Sequence, residues 1–348
     1  MSLSNRRRWR ILRDYAIGWT LAFVFLSIVR GEGTEELGSL KFDLASSLIL
    51  SVTMGPIMGL VSGCSEILIE ERIYRRISIQ KLLLLRLLYT FVFLIFLTFL
   101  AYFTYQFYFG TEVNLVTFAF DKGSFAIYFY VISVDFLMGL LRQVNLMLGT
   151  GNLGKLLRAR FYTPKEEERI FMFLDLQSST QLAERFGHIK YSMFIQDCFN
   201  DLGVVIEHDA EIYQYVGDEA VLSWKLKNGI RKQNCIKAFF RFKQQIESRE
   251  EYYQSTYGSI PFFKAGLHGG MVTATEVGKY KKEIAYHGDP INTAARIQGL
   301  CNTFEQELLI SEDLMKMMAQ NGFTFTKMGD MPLRGKEKEV SVYAVKES

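Results

Sequence analysis

Asp175 and Asp218 each stand where an apolar strand gives out, in Phe171-Met172-Phe173-Leu174-Asp175-Leu176 and Ile212-Tyr213-Gln214-Tyr215-Val216-Gly217-Asp218-Glu219. A carboxylate at a strand end is held rigidly and still reaches a hydrated cation. Two of them on neighbouring strands can hold two hard divalent ions over a phosphate chain. About seventy residues further on comes Tyr286-His287-Gly288-Asp289-Pro290-Ile291-Asn292-Thr293-Ala294-Ala295-Arg296. This reads as a turn entering a helix, with Asn292 and Arg296 four residues apart on one face. Metal carboxylates followed by an Asn/Arg pair form a pattern suited to phosphoryl transfer. Single residues of these types are more often caps, turns or surface ion-pair partners; the combination is what points to chemistry.

The elements that must position these groups are legible in the pattern. Residues 170–176 form a continuously apolar strand, hence one buried on both faces. Ser178, Ser179 and Thr180 open a helix of about twenty residues, whose free N–H groups and dipole suit phosphate. Residues 210–216 and 219–225 read as a hairpin turned at Val216-Gly217-Asp218. A long helix is expected over 230–255, strands over 263–277 and 282–287, a helix over Pro290–Cys301, a strand over 307–310 and a helix over 311–320. Strands at 323–329 and 340–346 close the sheet. The strand–helix–strand–strand–helix–strand order is ferredoxin-like. Asp289 is expected to cap its helix, with Pro290 at the first position. His188, His208, His268 and His287 lack metal-ligand spacing.

The first half is of another kind. Apolar stretches at about 15–29, 44–64, 87–109 and 124–141 are read as four membrane-spanning helices. The first follows Arg6, Arg7, Arg8 and Arg10 but has no clean cleavage site behind it, so it is read as an uncleaved helix. Arginine and lysine concentrate before the first stretch, over 65–86 and after the fourth. The positive-inside rule then puts both termini in the cytoplasm, with the chain a multi-pass protein of the inner or plasma membrane. Gly55-Pro56 and Gly59 are expected to kink or loosen the second helix. Asp135 lies within the fourth, where a carboxylate is a functional candidate or pairs with a Ser, Thr or Tyr of a neighbouring helix. The resulting division is a four-helix transmembrane domain at 1–145, a juxtamembrane connector at 146–165 and a catalytic domain at 166–346, the whole fold being α+β behind an α-helical membrane domain. The formal net charge of +3 implies no nucleic-acid partner. The cysteines, Cys64, Cys198, Cys235 and Cys301, form no CxxC pair and read as core residues in a reducing compartment.

In order and spacing, the motifs of residues 166–346 resemble the class III nucleotidyl cyclases, in the membrane-anchored bacterial form. The resemblance implies that Asp175, Leu176 and Asp218 serve the metals, Mg²⁺ or Mn²⁺, two per site. It implies that the turn from Leu176 through Ser178, Ser179 and Thr180 is a phosphate loop, and that Arg334, with Lys336, binds the β- and γ-phosphates. Asn292 would orient the ribose, and Arg296 would neutralise charge on the α-phosphate. It further implies a homodimer with shared sites, a nucleoside triphosphate as substrate and conversion of ATP to 3′,5′-cyclic AMP and pyrophosphate. Two base-reading positions depart from the family: Gln214 stands for the usual lysine and Ala285 for the usual Asp or Thr. Guanylate or other nucleotide cyclase activity therefore stays open, as does a non-catalytic cyclase-like signalling module. A diguanylate cyclase, suggested by Val216-Gly217-Asp218-Glu219, fits poorly with one glycine and the Asn/Arg helix that follows.

Overall fold

The structure, a computed structural model, describes residues 3–33, 44–72, 79–109, 114–149, 154, 156, 161–319, 322–332 and 339–348. The chain divides into two compact units, 1–144 and 145–348. The middle of the expected connector, residues 150–153, 155 and 157–160, lies outside the described residues.

The first unit is built from α1 (Leu3–Gly33), α2 (Leu44–Arg72), α3 (Ile79–Phe109), the short α4 (Leu115–Ala119) and α5 (Lys122–Met147). All but α4 are long and apolar enough to cross a membrane, over Arg7–Arg30, Ser47–Glu70, Leu87–Tyr108 and Lys122–Met147. Helix α4 has no counterpart among the expected elements. Helix α2 runs unbroken through Pro56. Its glycines have a different use from the expected kink. A Cβ on Gly55 would fall 2.5 Å from the Thr20 backbone, and one on Gly59 would fall 2.3 Å from that of Ala16. Bare glycines thus let α1 and α2 touch backbone to backbone, the device that brings helices together where water offers no driving force.

Two acidic groups inside this unit are paired across helices. Asp135, 1% exposed, accepts hydrogen bonds from Ser62 of α2 and Thr90 of α3, both at 3.2 Å. This is the hydroxyl pairing expected for it. Glu70 accepts from Arg7 of α1 at 2.8 Å and from Arg142 Nε of α5 at 2.7 Å.

The second unit is one eight-stranded sheet with helices on both faces. Its strands are β1 (Lys165–Leu176), β2 (Glu211–Val216), β3 (Glu219–Lys225), β4 (Phe263–Val277), β5 (Glu283–His287), β6 (Leu308–Ser311), β7 (Phe323–Met331) and β8 (Val340–Glu347). The order is β2-β3-β1-β4-β6-β8-β7, and β5 extends the far half of β4. The first four strands keep the ferredoxin-like arrangement. Strand β1 is central because it is apolar on both faces: Ile170, Met172, Leu174 and Leu176 enter one core, Phe171 and Phe173 the other.

Helices α6 (Ser179–Asp201), α8 (Asn234–Glu247), α9 (Glu250–Tyr257) and α11 (Glu312–Lys316) cover the first face, and the short α7 (Leu226–Ile230) leads into α8. Two of these differ from the sequence reading. Helix α6 bends at Gly187, whose φ of 71° and ψ of 165° interrupt the helical run. The single helix expected over 230–255 is two, broken at Ser248–Arg249, where Arg249 reaches the buried Asp201 at 2.5 Å. An ion pair and two hydrogen bonds at Asp201, from Gln245 and Tyr253, outweigh continuation of the helix.

Helix α10 (Asp289–Gly299) sits against the opposite face. It lies directly on β4 because Gly266 has no side chain: a Cβ there would fall 2.2 Å from Gln298 N and 2.6 Å from Gln298 Cα. Gly266→Ala should therefore cost about 3 kcal/mol, the upper end for overpacking, since both partners are backbone. A thermal melt of the variant unchanged from wild type would show that α10 is not seated this way.

Candidate active site

Strand alternation puts Asp175 on the same face as Phe171 and Phe173, under α10. Its Oδ2 accepts a hydrogen bond from Gln298 Nε2 of that helix at 3.3 Å. In the sheet it lies between two charged neighbours, paired with Glu219 on β3 and Lys264 on β4. Asp218 is the last residue of the two-residue hairpin loop, and Gly217 before it takes a φ of 63°, a conformation that glycine adopts without strain.

These acids crowd one another. Burial, then the charge of Asp218, raises the Asp175 carboxyl above the usual range; hydrogen bonds from Gln298 and the Leu176 backbone offset part of this. Burial, with Asp175 and Asp218 adding to it, pushes Glu219 up to about 6. Burial and Asp218 likewise raise the Tyr191 hydroxyl of α6. Three carboxylates gathered at one strand end, two with raised pKa, is an arrangement that a bound cation relieves.

Leu176 leads into a tight turn. Gln177 N donates to Phe262 O at 2.9 Å, and Ser178 takes the left-handed conformation, φ 58° and ψ 30°, before α6 begins. That backbone is costly for a non-glycine residue and is characteristic of functional turns. The Ser178 side chain does not cap the helix. Asp175, Leu176, Ser178, Ser179 and Thr180 line one half-open cleft of about 340 Å³, together with Lys264, Gln298 and Asn302. Phosphate suits such a helix start.

Lys264, Gln298 and Asn302 were not anticipated. Lys264 is 9% exposed and donates to Asn302 Oδ1 at 2.9 Å. Its only sequence signal is a lysine at the head of an apolar strand.

Asn292, Arg296, Gln214 and Ala285 are not among the residues that line this cleft. Asn292 is exposed and Arg296 half-buried, on the side of α10 away from Thr293, Ala294 and Ile297, which are buried. The cap of α10 is Gly288 rather than Asp289; Asp289 is the first helical residue and accepts from Thr293 Oγ1 at 3.2 Å. Gln214, exposed, and Ala285, half-buried, neighbour two tyrosines that join β2 to β5. The Tyr213 and Tyr286 rings lie 5.1 Å apart, and Tyr286 N donates to the Tyr213 hydroxyl at 3.4 Å. Arg334 and Lys336 lie outside the described residues.

The donor set fits a hard divalent ion: carboxylate and main-chain oxygen, without thiolate or imidazole. Among the described residues, no group of three or more His, Cys, Asp or Glu side chains is placed to hold a metal by itself. Asp175 and Asp218 would thus leave coordination positions to a phosphate chain and water, as Mg²⁺ sites commonly do.

Comparison with known proteins places this geometry. Residues 161–347 match the family described as the adenylate and guanylate cyclase catalytic domain. Adenylate cyclase 2 of Rhizobium meliloti (strain 1021) is 35% identical over 205 residues, covering 58% of this chain and 56% of that protein. The adenylate cyclase of Anabaena cylindrica is 24% identical over 184 residues, covering 50% of this chain and 36% of that one. The chain therefore spans about half the length, or less, of these curated relatives. A solved bacterial light-regulated adenylyl cyclase shares the fold, with a TM-score of 0.52 at 18% identity, over 61% of this chain and 62% of that one. On the family match, which covers more than half of its length, the chain belongs to the adenylate and guanylate cyclase catalytic domain family.

Proposed function

We propose that the chain is a membrane-anchored adenylate cyclase that converts ATP to 3′,5′-cyclic AMP and pyrophosphate. The observation that carries this is the gathering of Asp175 and Asp218 beside the open helix start at Ser178–Thr180. A cluster of repelling acids and an anion-binding turn are opposite in sign, and a triphosphate with its divalent ions is complementary to both. The relatives named above, both adenylate cyclases, support adenine as the base.

In this reading the ribose 3′-hydroxyl attacks the α-phosphorus and pyrophosphate leaves. Asp175, Asp218 and the Leu176 main-chain oxygen would hold Mg²⁺ or Mn²⁺, two per site, which would acidify the hydroxyl and screen the triphosphate. The N–H groups at the start of α6 receive phosphate oxygens, with Lys264 beside them. Arg334 and Lys336 receive the β- and γ-phosphates. Asn292 fixes the sugar, and Arg296 meets the charge that develops on the transferring group. Catalysis is mainly positioning and charge neutralisation.

Asn292 and Arg296 lie on the side of α10 opposite its buried residues and do not line the cleft, which supports a homodimer in which each cleft borrows them from the partner subunit. The membrane unit is an anchor in the cytoplasmic membrane, with the cyclase unit on the cytosolic side where nucleoside triphosphates are available.

The test is direct. The purified full chain is incubated with each of the four nucleoside triphosphates and Mn²⁺, and cyclic products are identified by mass spectrometry. Cyclic AMP as the main product is expected; no cyclic nucleotide from any substrate would defeat the reading.

Gln214→Lys with Ala285→Asp should sharpen the preference for ATP. The lysine would donate to an adenine ring nitrogen and the aspartate would accept from the exocyclic amine. Rejection of a base that leaves such groups unpaired reaches a factor of about 10⁴ in favourable cases. The ratio of kcat/KM for ATP over GTP should rise. An unchanged ratio in an active double variant would mean that positions 214 and 285 do not face the base.

A further inference from the structure

The four-helix unit holds a cavity of its own. It lies among the stretches Phe23–Arg30 of α1, Ser47–Met54 of α2 and Leu97–Tyr105 of α3, bordered by α4 and the start of α5, and is half-open. Its volume is about 120 Å³. Pockets for drug-sized ligands measure roughly 300–1,000 Å³, whereas an apolar cavity of about 150 Å³ holds one benzene. Size thus selects a single small ring system over a lipid or a nucleotide.

Chemistry narrows the choice. Phe23, Met54, Leu97 and Phe118 give an apolar and partly aromatic wall. Arg30 and Asp121 both line the cavity, so its formal charge cancels and a neutral ligand fits better than an ion. The hydroxyl groups on the wall spend their hydrogens on backbone carbonyls or on one another: Ser27 lies 2.6 Å from Ser51, Ser47 donates to Ser27 at 2.8 Å, and Thr98 lies 3.0 Å from the Tyr128 hydroxyl. Ser51 donates to Ser47 O at 2.9 Å or Phe23 O at 3.1 Å, Thr98 to Leu94 O at 2.8 Å, Ser124 to Phe118 O at 2.6 Å and Tyr128 to Ala119 O at 2.9 Å. A hydroxyl has one hydrogen and two lone pairs. With the hydrogens engaged, the wall offers mainly acceptors, and a ligand that donates is favoured over one that accepts.

We propose that this cavity binds one small neutral aromatic molecule carrying a hydrogen-bond donor, of the size and chemistry of indole or phenol.

The full chain in phosphatidylcholine nanodiscs is equilibrated with radiolabelled indole, with empty nanodiscs as the control for partition into lipid. Saturable binding of one indole per chain is expected. Benzofuran, which has the ring size of indole but an oxygen in place of N–H, should compete roughly three- to tenfold more weakly, the value of one hydrogen bond. Ala101→Leu, on the cavity wall, should abolish saturable binding by filling the space. The double variant Thr98→Val with Ser51→Ala should keep binding but bring indole and benzofuran together. Uptake that only matches empty nanodiscs, binding that survives in Ala101→Leu, or equal competition by benzofuran in wild type would each overturn the proposal. Should Ala101→Leu fail to fold, as judged by circular dichroism, the two-ligand comparison still decides.

Discussion

Asp175→Ala should reduce turnover by about three orders of magnitude while leaving the fold intact. Removing the carboxylate takes away a ligand to ions that supply several kcal/mol of charge stabilisation in such reactions, and each 1.4 kcal/mol is about tenfold in rate. The fold should hold because Asp175 contributes little to it. Burial and Asp218 raise its pKa, so the ionised side chain is disfavoured where it stands. The metal-free variant should melt no lower than wild type, the usual relation between a functional charge cluster and stability. Asp218→Ala should behave alike in turnover. Retention of more than about a tenth of wild-type activity by either variant would remove the two-aspartate assignment.

Mixing the inactive Asp175→Ala and Arg296→Ala chains should bring activity back. If each cleft takes its aspartates from one subunit and Asn292 and Arg296 from the other, a mixed dimer has one site with every group intact. Random exchange of equal amounts gives half mixed dimers, so roughly a quarter of all sites should work. Activity would rise from near zero to a sizeable fraction of wild type, a change too large to arise from altered stability. The measurement needs proof of exchange, for example by co-purification through two different tags. A mixture that has exchanged and stays inactive would place the whole site within one subunit.

The strands, the Gly217 hairpin and the apolar helices are local features, and they read well from the sequence. Alternation along β1 and the one turn glycine are set by neighbours in the chain. The misses have a common physical origin. The break at Arg249 depends on what that segment meets across the core, the buried Asp201. Lys264 and Gln298 become part of the cleft through sheet register and through the seating of α10 on Gly266. A slip of one residue between β1 and β4 would send Lys264 to the other face, and nothing near Lys264 in sequence records which register is chosen. Conversely, the Asn292/Arg296 spacing was plain from the sequence, while their absence from the lining of the Asp175 cleft needed three dimensions.

Two carboxylates of the helical unit, Asp135 and Glu70, fix how α5 is able to move. Asp135 is tied to α2 and α3 through Ser62 and Thr90, and Arg142, seven residues later on α5, is tied to Glu70 of α2. These ties stand about 10 Å apart along the helix axis, two turns at 1.5 Å per residue. A slide of one residue would misalign both at once, and so would a rotation by one position. Helix α5 is therefore indexed at two depths like a key in its lock. Small continuous sliding is closed to it; it travels as a block with α2, or it jumps to a new notch after releasing two buried acids together.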